Sequence, residues 1–221
     1  YHSGGTIVNA GTNLLGYASG GYGTVVGAVT VNSGAVLNYT VANAFGWNNP
    51  LTTLNIVGGA VGGADFGQHF WSSPTIAMTG GTLNLGGTLN EFYSPSFAIS
   101  NAATTAQILG VTGDEELRLR DGTSGSFSVE DGAQAVDLLV DAPVTYNSGT
   151  SALTKSGAGA MRMTKANTYN GATTINGGTL MIGGAHGGAG AISVNNGSKL
   201  VVEAAGSIAN CPTITLAGGA T

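Results

Sequence analysis

Residues 173–182 read TTINGGTLMI, and they contain a pattern that returns throughout the chain. Thr173 and Ile175 occupy alternate positions, and a second alternating run begins at Thr179, after two glycines. Alternation with a period of two residues predicts a strand that buries one of its faces. The intervening Asn-Gly-Gly is typical of a tight corner, because Asn and Gly accept positive φ values. The stretch therefore predicts two short strands joined by a corner.

The same phrase of apolar, any, apolar, any, any and glycine occurs ten times along the chain. The mean interval between its glycines is about 23 residues, and a repeat of 20 to 50 residues is typical of a solenoid. The occurrences are Thr6-Val8-Gly11, Val29-Val31-Gly34, Leu54-Ile56-Gly59, Ile76-Met78-Gly81, Phe97-Ile99-Ala102, Phe127-Val129-Gly132, Val144-Tyr146-Gly149, Thr173-Ile175-Gly178, Ile192-Val194-Gly197 and Ile214-Leu216-Gly219.

These repeats predict an all-β protein, a right-handed parallel β-helix (solenoid) of about ten coils with a period near 23 residues. Each coil has at least two strands, and successive coils stack about 4.8 Å apart. The expected hand follows from the preference of parallel crossovers. Because the period runs from end to end, we expect a single β-helical domain over residues 1–221. The positions predicted to form one buried column are Val31, Ile56, Met78, Ile99, Val129, Ile175, Val194 and Leu216.

The composition favours a folded solenoid over a glycine-rich linker. Glycine contributes 39 of 221 residues and charged residues 8%, but 42% of the chain is hydrophobic and falls in phase. Disordered segments combine low hydrophobicity with high charge. The net charge of −5 argues against nucleic-acid binding. No run of about 18 apolar residues is present, so we expect no membrane span. A start at Tyr1 rather than Met leads us to expect a mature form or part of a longer protein.

Three successive coils carry an aromatic insertion, and Trp47, Trp71 and Tyr93 lie 13, 12 and 12 residues after the preceding phase position. Equal phase in a solenoid means vertical stacking, so these residues are the candidate lateral contact. Two interpretations stay open. The ridge either covers the side of the solenoid, or it contacts a sugar or a neighbouring chain, as Trp and Tyr commonly do.

Ten of the 17 charged residues lie between Asp114 and Asp141. They are interpreted first as solvated corner residues, with a calcium site and a catalytic pair formed by Asp121 and Asp141 as alternatives. His2, His69 and His186 lack ligand spacing, so no metal site is predicted. No nucleophile elbow or phosphate loop occurs, and we predict no catalytic residue and no cofactor.

Two smaller features were considered for function. The single cysteine, Cys211, is expected as a small buried residue, with a bond between chains or a catalytic thiol as alternatives. Thr52-Thr53 and Thr173-Thr174 do not repeat in register along the sequence, so a threonine ladder like that of ice-binding solenoids is not expected.

Residues 153–184 read LTKSGAGAMRMTKANTYNGATTINGGTLMIGG. The stretch resembles the autotransporter-associated β-strand repeat, or passenger-associated transport repeat, of large bacterial surface proteins. Met161 and Met163 replace two leucines of that family with similar apolar volume, and Lys165 stands at a usual glycine. The matching positions are Leu153, Lys155, Gly157, Gly159, Asn167, Thr168, Tyr169, Gly171, Thr173, Thr174, Ile175, Gly178, Thr179 and Leu180.

The resemblance implies a β-helical passenger that is exported through a Gram-negative envelope and is extracellular or on the bacterial cell surface. It implies no catalytic residue. We therefore expect a non-catalytic structural protein, a stalk or a self-assembling filament subunit with an adhesive role. The alternative is a carbohydrate-binding or polysaccharide-cleaving β-helix that uses the aromatic ridge or the acidic region.

Identical chains are the first expected partner, stacked end to end, with carbohydrate as the second. The first strand phrase starts at Thr6 and the last phase glycine is Gly219, and no capping helix is evident near either. Unpaired strand edges without Lys or Pro favour pairing with another chain. We expect either a fibre of identical chains or a longer array of which this chain is a part.

Overall fold

The structure, a computed structural model, describes residues 4–17, 23–46, 48, 51–63, 67–87, 89–111, 113 and 115–221. Within these ranges the chain forms 23 strands, numbered here in chain order, in three parallel sheets. No helix in the described ranges is long or apolar enough to cross a lipid bilayer. The all-β solenoid predicted from the repeats is confirmed.

Each coil passes through the first and the second sheet, and the middle coils also through a third. The first sheet contains β1 (Thr6–Val8), β3 (Gly27–Asn32), β5 (Leu51–Val57), β8 (Thr75–Thr79), β11 (Ser96–Ile99), β14 (Gly125–Val129), β17 (Leu153–Ser156), β19 (Thr173–Ile175), β21 (Ile192–Val194) and β23 (Ile214–Leu216). The second contains β2 (Gly11–Leu15), β4 (Ala35–Tyr39), β6 (Ala60–Gly62), β9 (Thr82–Leu85), β12 (Ala106–Gly110), β15 (Leu138–Asp141), β18 (Ala160–Met163), β20 (Thr179–Ile182) and β22 (Lys199–Val202). The third contains β7 (His69–Phe70), β10 (Leu89–Phe92), β13 (Glu116–Leu119) and β16 (Val144–Tyr146).

The strand pairing supports the predicted period. Thr6 pairs with Val29 at one end of the first sheet, and Val194 pairs with Leu216 at the other. Ten strands stack in the first sheet but nine in the second, so the number of complete coils is slightly smaller than the ten expected.

Side chains that point between the sheets form the core. Val31, Ile56, Met78, Ile99 and Val129 are aligned by successive strand pairs, and each is at most 2% exposed. These five positions follow the predicted column, because alternate residues of each strand point inward.

The predicted column does not continue unbroken beyond β14. Phe127 pairs with Lys155, Lys155 with Ile175, and Ile175 with Val194. Ile175 and Val194 are therefore buried in the column of Phe127, one inward position away from that of Val129. The prediction of a single shared column is wrong for these two residues, because the register steps by two residues where β17 joins the sheet.

Leu216 was also predicted to be buried, and the structure corrects this. Its side chain is 57% exposed, whereas Val194, its partner in the preceding coil, is fully buried. The difference arises because no described strand covers β23 on its outer edge.

One of the ten phrases lies in a different sheet from the one expected. Val144-Tyr146-Gly149 contributes β16, which pairs with β13 in the third sheet. The next strand of the first sheet is instead β17, Leu153–Ser156. The local pattern of apolar residues and glycine is the same in both sheets, so it could not distinguish them. The prediction for this phrase is wrong.

Aromatic rings stack from coil to coil inside the middle of the solenoid. Phe70 and Phe92 lie 4.6 Å apart between ring centroids with an interplanar angle of 10°, and Phe97 and Phe127 lie 4.7 Å apart at 3°. Buried aromatic pairs of this kind stabilise a core beyond their area burial. They also hold the neighbouring coils in register where the third sheet ends.

The corner glycine of the opening stretch, Gly178, is required by the backbone. Its φ is +59°, and a Cβ atom at this position would lie 2.2 Å from the carbonyl oxygen of Gly159 in the coil before. A side chain would meet both left-handed strain and a backbone clash. The sequence prediction of a corner here is confirmed.

One outward column of the first sheet carries a hydroxyl group in eight successive strands, and this column was not expected. Thr53 and Thr174 both lie in it, although their intervals in the sequence hide the alignment. The column consists of Thr53, Thr75, Ser96, Ser126, Thr154, Thr174, Ser193 and Thr215. It gives this side of the solenoid an uncharged face.

Candidate functional site

Trp71, Tyr93 and Arg120 lie in one outward column where the third sheet ends. The buried residues one position earlier pair across β7, β10 and β13. Amide-to-carbonyl bonds of 3.2 and 3.0 Å extend the ladder to Tyr93 and Arg120. The column places one aromatic, a second aromatic and a guanidinium group in three successive coils.

The backbone turns in the same unusual way after each of these residues. Ser73, Ser94 and Asp121 have φ values of 54°, 46° and 52°, although none of them is glycine. A left-handed conformation at such a residue costs on the order of 1–3 kcal/mol and often marks a functional site. Its repetition in three coils keeps the outward side chains at a single corner, between the third and first sheets.

Glu91 is the buried acid beneath this corner. Its side chain is 8% exposed, and its Oε2 accepts a hydrogen bond from Trp71 Nε1 at 3.2 Å. The same oxygen forms an ion pair with Arg120 Nη1 and lies 3.6 Å from His69 Nε2. A buried carboxylate is stable when it is paired and hydrogen-bonded in this way. Glu91 thereby fixes the orientation of both Trp71 and Arg120.

The indole of Trp71 is covered on two sides. The His69 ring stacks on it with centroids 4.8 Å apart and an angle of 19°, and the Arg120 guanidinium carbon lies 3.9 Å from its centroid. The cation–π contact adds to the ion pair with Glu91. Burial lowers the pKa of His69, an effect that Glu91 opposes and Arg120 reinforces, so this ring is neutral at pH 7. Trp71 therefore supports the corner from within.

Asp121 forms the rim of the corner. Its amide donates to Asn147 Oδ1 at 2.7 Å, and its Oδ1 accepts from Asn147 Nδ2 at 3.1 Å. The Arg120 Nε donates to its Oδ2 at 2.9 Å. Hydrogen bonds from Asn147 and then from Arg120 lower the pKa of Asp121, so its carboxylate is charged at neutral pH.

Trp71, Tyr93, Arg120 and Asp121 together line an open pocket of about 240 Å³, which we call the corner pocket. Tyr93 is 41% exposed. A larger pocket of about 320 Å³ lies against the second sheet. It is lined by Val36, Asn38, Gly62, Gly63, Asn84 and Val111. That lining contains no ionisable side chain, so the corner pocket is the better candidate for a functional site.

The structure brings together two of the three residues of the predicted ridge. Trp71 and Tyr93 line the corner pocket, and Trp47 lies outside the described residues. The sequence did not reveal Arg120 as the next member of the column. The coil from Ala102 to Gly132 is longer than its neighbours, so Arg120 falls outside the offset of 12 residues that identified the aromatic positions.

The acidic region does not form the catalytic pair considered from the sequence. Asp121 follows β13 of the third sheet, whereas Asp141 ends β15 of the second sheet and pairs with Lys165 at 3.4 Å. The two carboxylates therefore lie on different sides of the coil. Asp137 accepts hydrogen bonds from two backbone amides at 2.8 Å, and Glu130 accepts one from Asn101 at 3.1 Å. Asp114 lies outside the described residues.

The histidines and the cysteine are dispersed. Within the described ranges, no three His, Cys, Asp or Glu side chains are close enough together to bind a metal ion. His186 is buried against Tyr169, with ring centroids 4.8 Å apart, and burial lowers its pKa. His2 lies outside the described residues. Cys211 is a partly buried free thiol that donates to the carbonyl oxygen of Thr213 at 3.1 Å.

Lys155 is an unexpected cation inside the solenoid. It is fully buried, and its Nζ donates to the carbonyl oxygens of Ser156, Gly157 and Gly177 at 3.0, 2.8 and 2.9 Å. Burial lowers the pKa of Lys155 from 10.5 to about 8, although Asp137 opposes the shift. Because these carbonyls belong to two successive coils, Lys155 joins them.

Comparison with known proteins places these features in a family. Residues 153–182 match the passenger-associated-transport-repeat. The chain is 31% identical over 226 residues to the adhesin BmaC autotransporter of Brucella suis biovar 1 (strain 1330), and the alignment covers 87% of this chain. It covers 6% of that relative, so the chain spans a small part of its length. No solved structure is significantly similar to the chain. The resemblance identified from residues 153–184 is confirmed, and the chain belongs to the autotransporter passenger repeat family.

Proposed function

We propose that this chain is a segment of an extracellular, non-catalytic passenger protein, in which the solenoid is a rigid stalk with an adhesive contact on its side. The observation that carries the proposal is the continuity of the family repeat with the rest of the fold. The matched residues form β17 to β20, and these strands pair with β14 and β15 before them and with β21 and β22 after them. The repeat is thus one part of a single stack of coils.

The placement of the acidic residues supports a non-catalytic role. Asp121 and Asp141 are separated onto different sheets, so they cannot act on one bond. Glycoside hydrolysis by two carboxylates requires them to face each other across roughly 5 to 9.5 Å. Asp137 and Glu130 are engaged with backbone amides at the corners, which is a structural task.

The corner pocket supports the adhesive part of the proposal. It is the place where an exposed aromatic ring, Tyr93, lies beside a guanidinium group held in a fixed orientation. Aromatic and arginine side chains contribute most to binding at protein surfaces. The name of the relative also supports this assignment, because that protein is an adhesin.

The experiment uses an antibody raised against the 221-residue chain. On intact cells of the source organism we expect surface labelling that is lost after brief treatment with an external protease. The purified chain is then added as a competitor in a cell-attachment assay, and we expect it to reduce attachment. Labelling that needs permeabilised cells would contradict the extracellular location, and unchanged attachment would contradict the adhesive role.

A further inference from the structure

The corner pocket presents hydrogen-bonding groups that are already held in place. Described contacts of Arg120 use its Nε with Asp121 and its Nη1 with Glu91, which are two of its five N–H donors. Asp121 accepts from Arg120, Asn147 and Ser148, which occupies three of about four acceptor positions of its carboxylate. The pocket therefore offers donors and an acceptor side by side, and a ligand would not have to order them.

The size of the pocket limits the ligand. Its volume of about 240 Å³ lies below the roughly 300–1,000 Å³ of pockets that bury a drug-sized molecule. It accommodates one small ring and leaves the remainder of a larger ligand in solvent. This is the geometry for recognising one unit of a polymer.

The charge of the pocket limits the ligand further. Two carboxylates, Glu91 and Asp121, surround a single guanidinium group, that of Arg120. His69 adds no charge at pH 7, because burial lowers its pKa. The local charge is therefore negative, and it disfavours phosphate, sulfate and carboxylate groups. An uncharged ligand fits best.

The remaining groups match a sugar. Neighbouring hydroxyl groups on a pyranose both donate and accept, so one can donate to Asp121 while the next accepts from Arg120. Tyr93 exposes an amphipathic ring, and such rings pack against apolar surface while their polar edge stays in water. We propose that the corner pocket binds a single uncharged sugar residue of a glycan. This inference rests on the proposed adhesive function, for which it names the chemical class of the partner.

The test is saturation-transfer NMR on the 221-residue chain with methyl glycosides of glucose, galactose, mannose and N-acetylglucosamine. The methyl glycoside of glucuronic acid serves as an anionic comparison. We expect transfer to at least one neutral glycoside and at least tenfold weaker binding of the glucuronide. Absence of transfer to all four neutral glycosides, or equal binding of the glucuronide, would overturn the proposal.

Two substitutions test the location of the site. Tyr93→Ala removes the exposed ring, and Asp121→Asn removes the charge while keeping a residue that tolerates the left-handed backbone. We expect both to weaken binding of the neutral glycoside at least fivefold with an unchanged urea midpoint. The matched control is Tyr17→Ala, because Tyr17 is 63% exposed and does not line the pocket. Equal binding by wild type and both pocket variants would refute the assignment.

The attachment assay separates this proposal from the proposed function. If the purified chain blocks attachment but none of the neutral glycosides binds, the sugar assignment fails and the adhesive role stands. If a neutral glycoside binds at the corner pocket but the chain does not affect attachment, the adhesive role fails and the pocket assignment stands.

Discussion

The ammonium group of Lys155 donates to the carbonyl oxygen of Gly177 at 2.9 Å, and this bond joins one coil of the repeat to the next. In the same column the preceding coil places Phe127 and the following coil Ile175, both fully buried. A cation thus occupies a place in a stack of apolar side chains. Carbonyl oxygens at two corners satisfy its donors, which explains how the lysine is accommodated in the core.

Burial of Lys155 predicts a pH-dependent stability. Its pKa falls from 10.5 in the unfolded chain to about 8 in the fold, so between these values the unfolded chain binds more protons. Stability therefore rises with pH across this window and is unaffected by Lys155 below it. We expect the free energy of unfolding to increase by about 2 kcal/mol from pH 8 to pH 9.5, measured by urea denaturation.

The control for this prediction is Lys155→Met, which has no titrating group. Its stability should stay nearly flat from pH 8 to pH 9.5. The tyrosines do not interfere in this range, because burial raises the pKa of Tyr39 and of Tyr169 to about 12. An equal rise in wild type and variant would show that another group is responsible.

The core column predicts which apolar residues carry stability. Ile99 is 2% exposed in the middle of the stack, so Ile99→Ala removes buried methyl groups and leaves a cavity. We expect a loss of about 2 to 5 kcal/mol in urea denaturation. Leu216→Ala at the exposed edge is the matched control and should cost less than about 1 kcal/mol. A loss below about 0.5 kcal/mol for Ile99→Ala would be incompatible with this packing.

The repeat predicted the solenoid because alternation and corner glycines are local signals that every coil must satisfy. It did not predict the third sheet, since Val144-Tyr146-Gly149 has the same local pattern in a strand that pairs elsewhere. The place of Lys155 was also hidden, because its inward position follows from the register step between β14 and β17. Arg120 joined the aromatic column through strand pairing, which a fixed offset could not follow across a longer coil.

The corner glycines separate two physical effects that can be measured independently. Gly197 has a φ of +74° with nothing within 4 Å of an added Cβ, whereas Gly178 combines φ +59° with a backbone oxygen at 2.2 Å. We expect Gly197→Ala to cost about 1 kcal/mol from left-handed strain alone. Gly178→Ala should cost at least about 2 kcal/mol more, because the backbone must also move. Equal losses in thermal or urea denaturation would be inconsistent with the close approach to Gly159.

The last described coil presents the apolar side of a strand to solvent. Ile214 and Leu216 are 44% and 57% exposed, whereas their partners Ile192 and Val194 in the coil before are fully buried. Another coil placed on this edge would remove the apolar surface from water, at about 25 cal/mol per Å². It would also satisfy the unpaired backbone groups of β23. The edge is thus suited to a further β-solenoid coil, from the same chain or from another copy.

At the opposite edge, Ile7 and Leu14 are 68% and 62% exposed. We expect the purified 221-residue chain to associate end to end through these two different edges. A contact between unlike surfaces does not close on itself, so it produces open assemblies that grow with concentration. Sedimentation velocity over a wide concentration range should show species well above the 21.7 kDa of one chain.

Substitution at the edge tests the geometry of this association. Leu216→Lys places a charge where the next coil would pack, and we expect it to shift the sample to monomers. Val36→Lys is the control, because Val36 is 37% exposed on an outward position of the second sheet, away from both edges. It adds the same charge and should leave assembly unchanged. A wild-type chain that remains monomeric at high concentration, or assemblies that Val36→Lys disrupts as strongly as Leu216→Lys, would exclude stacking through the coil edges.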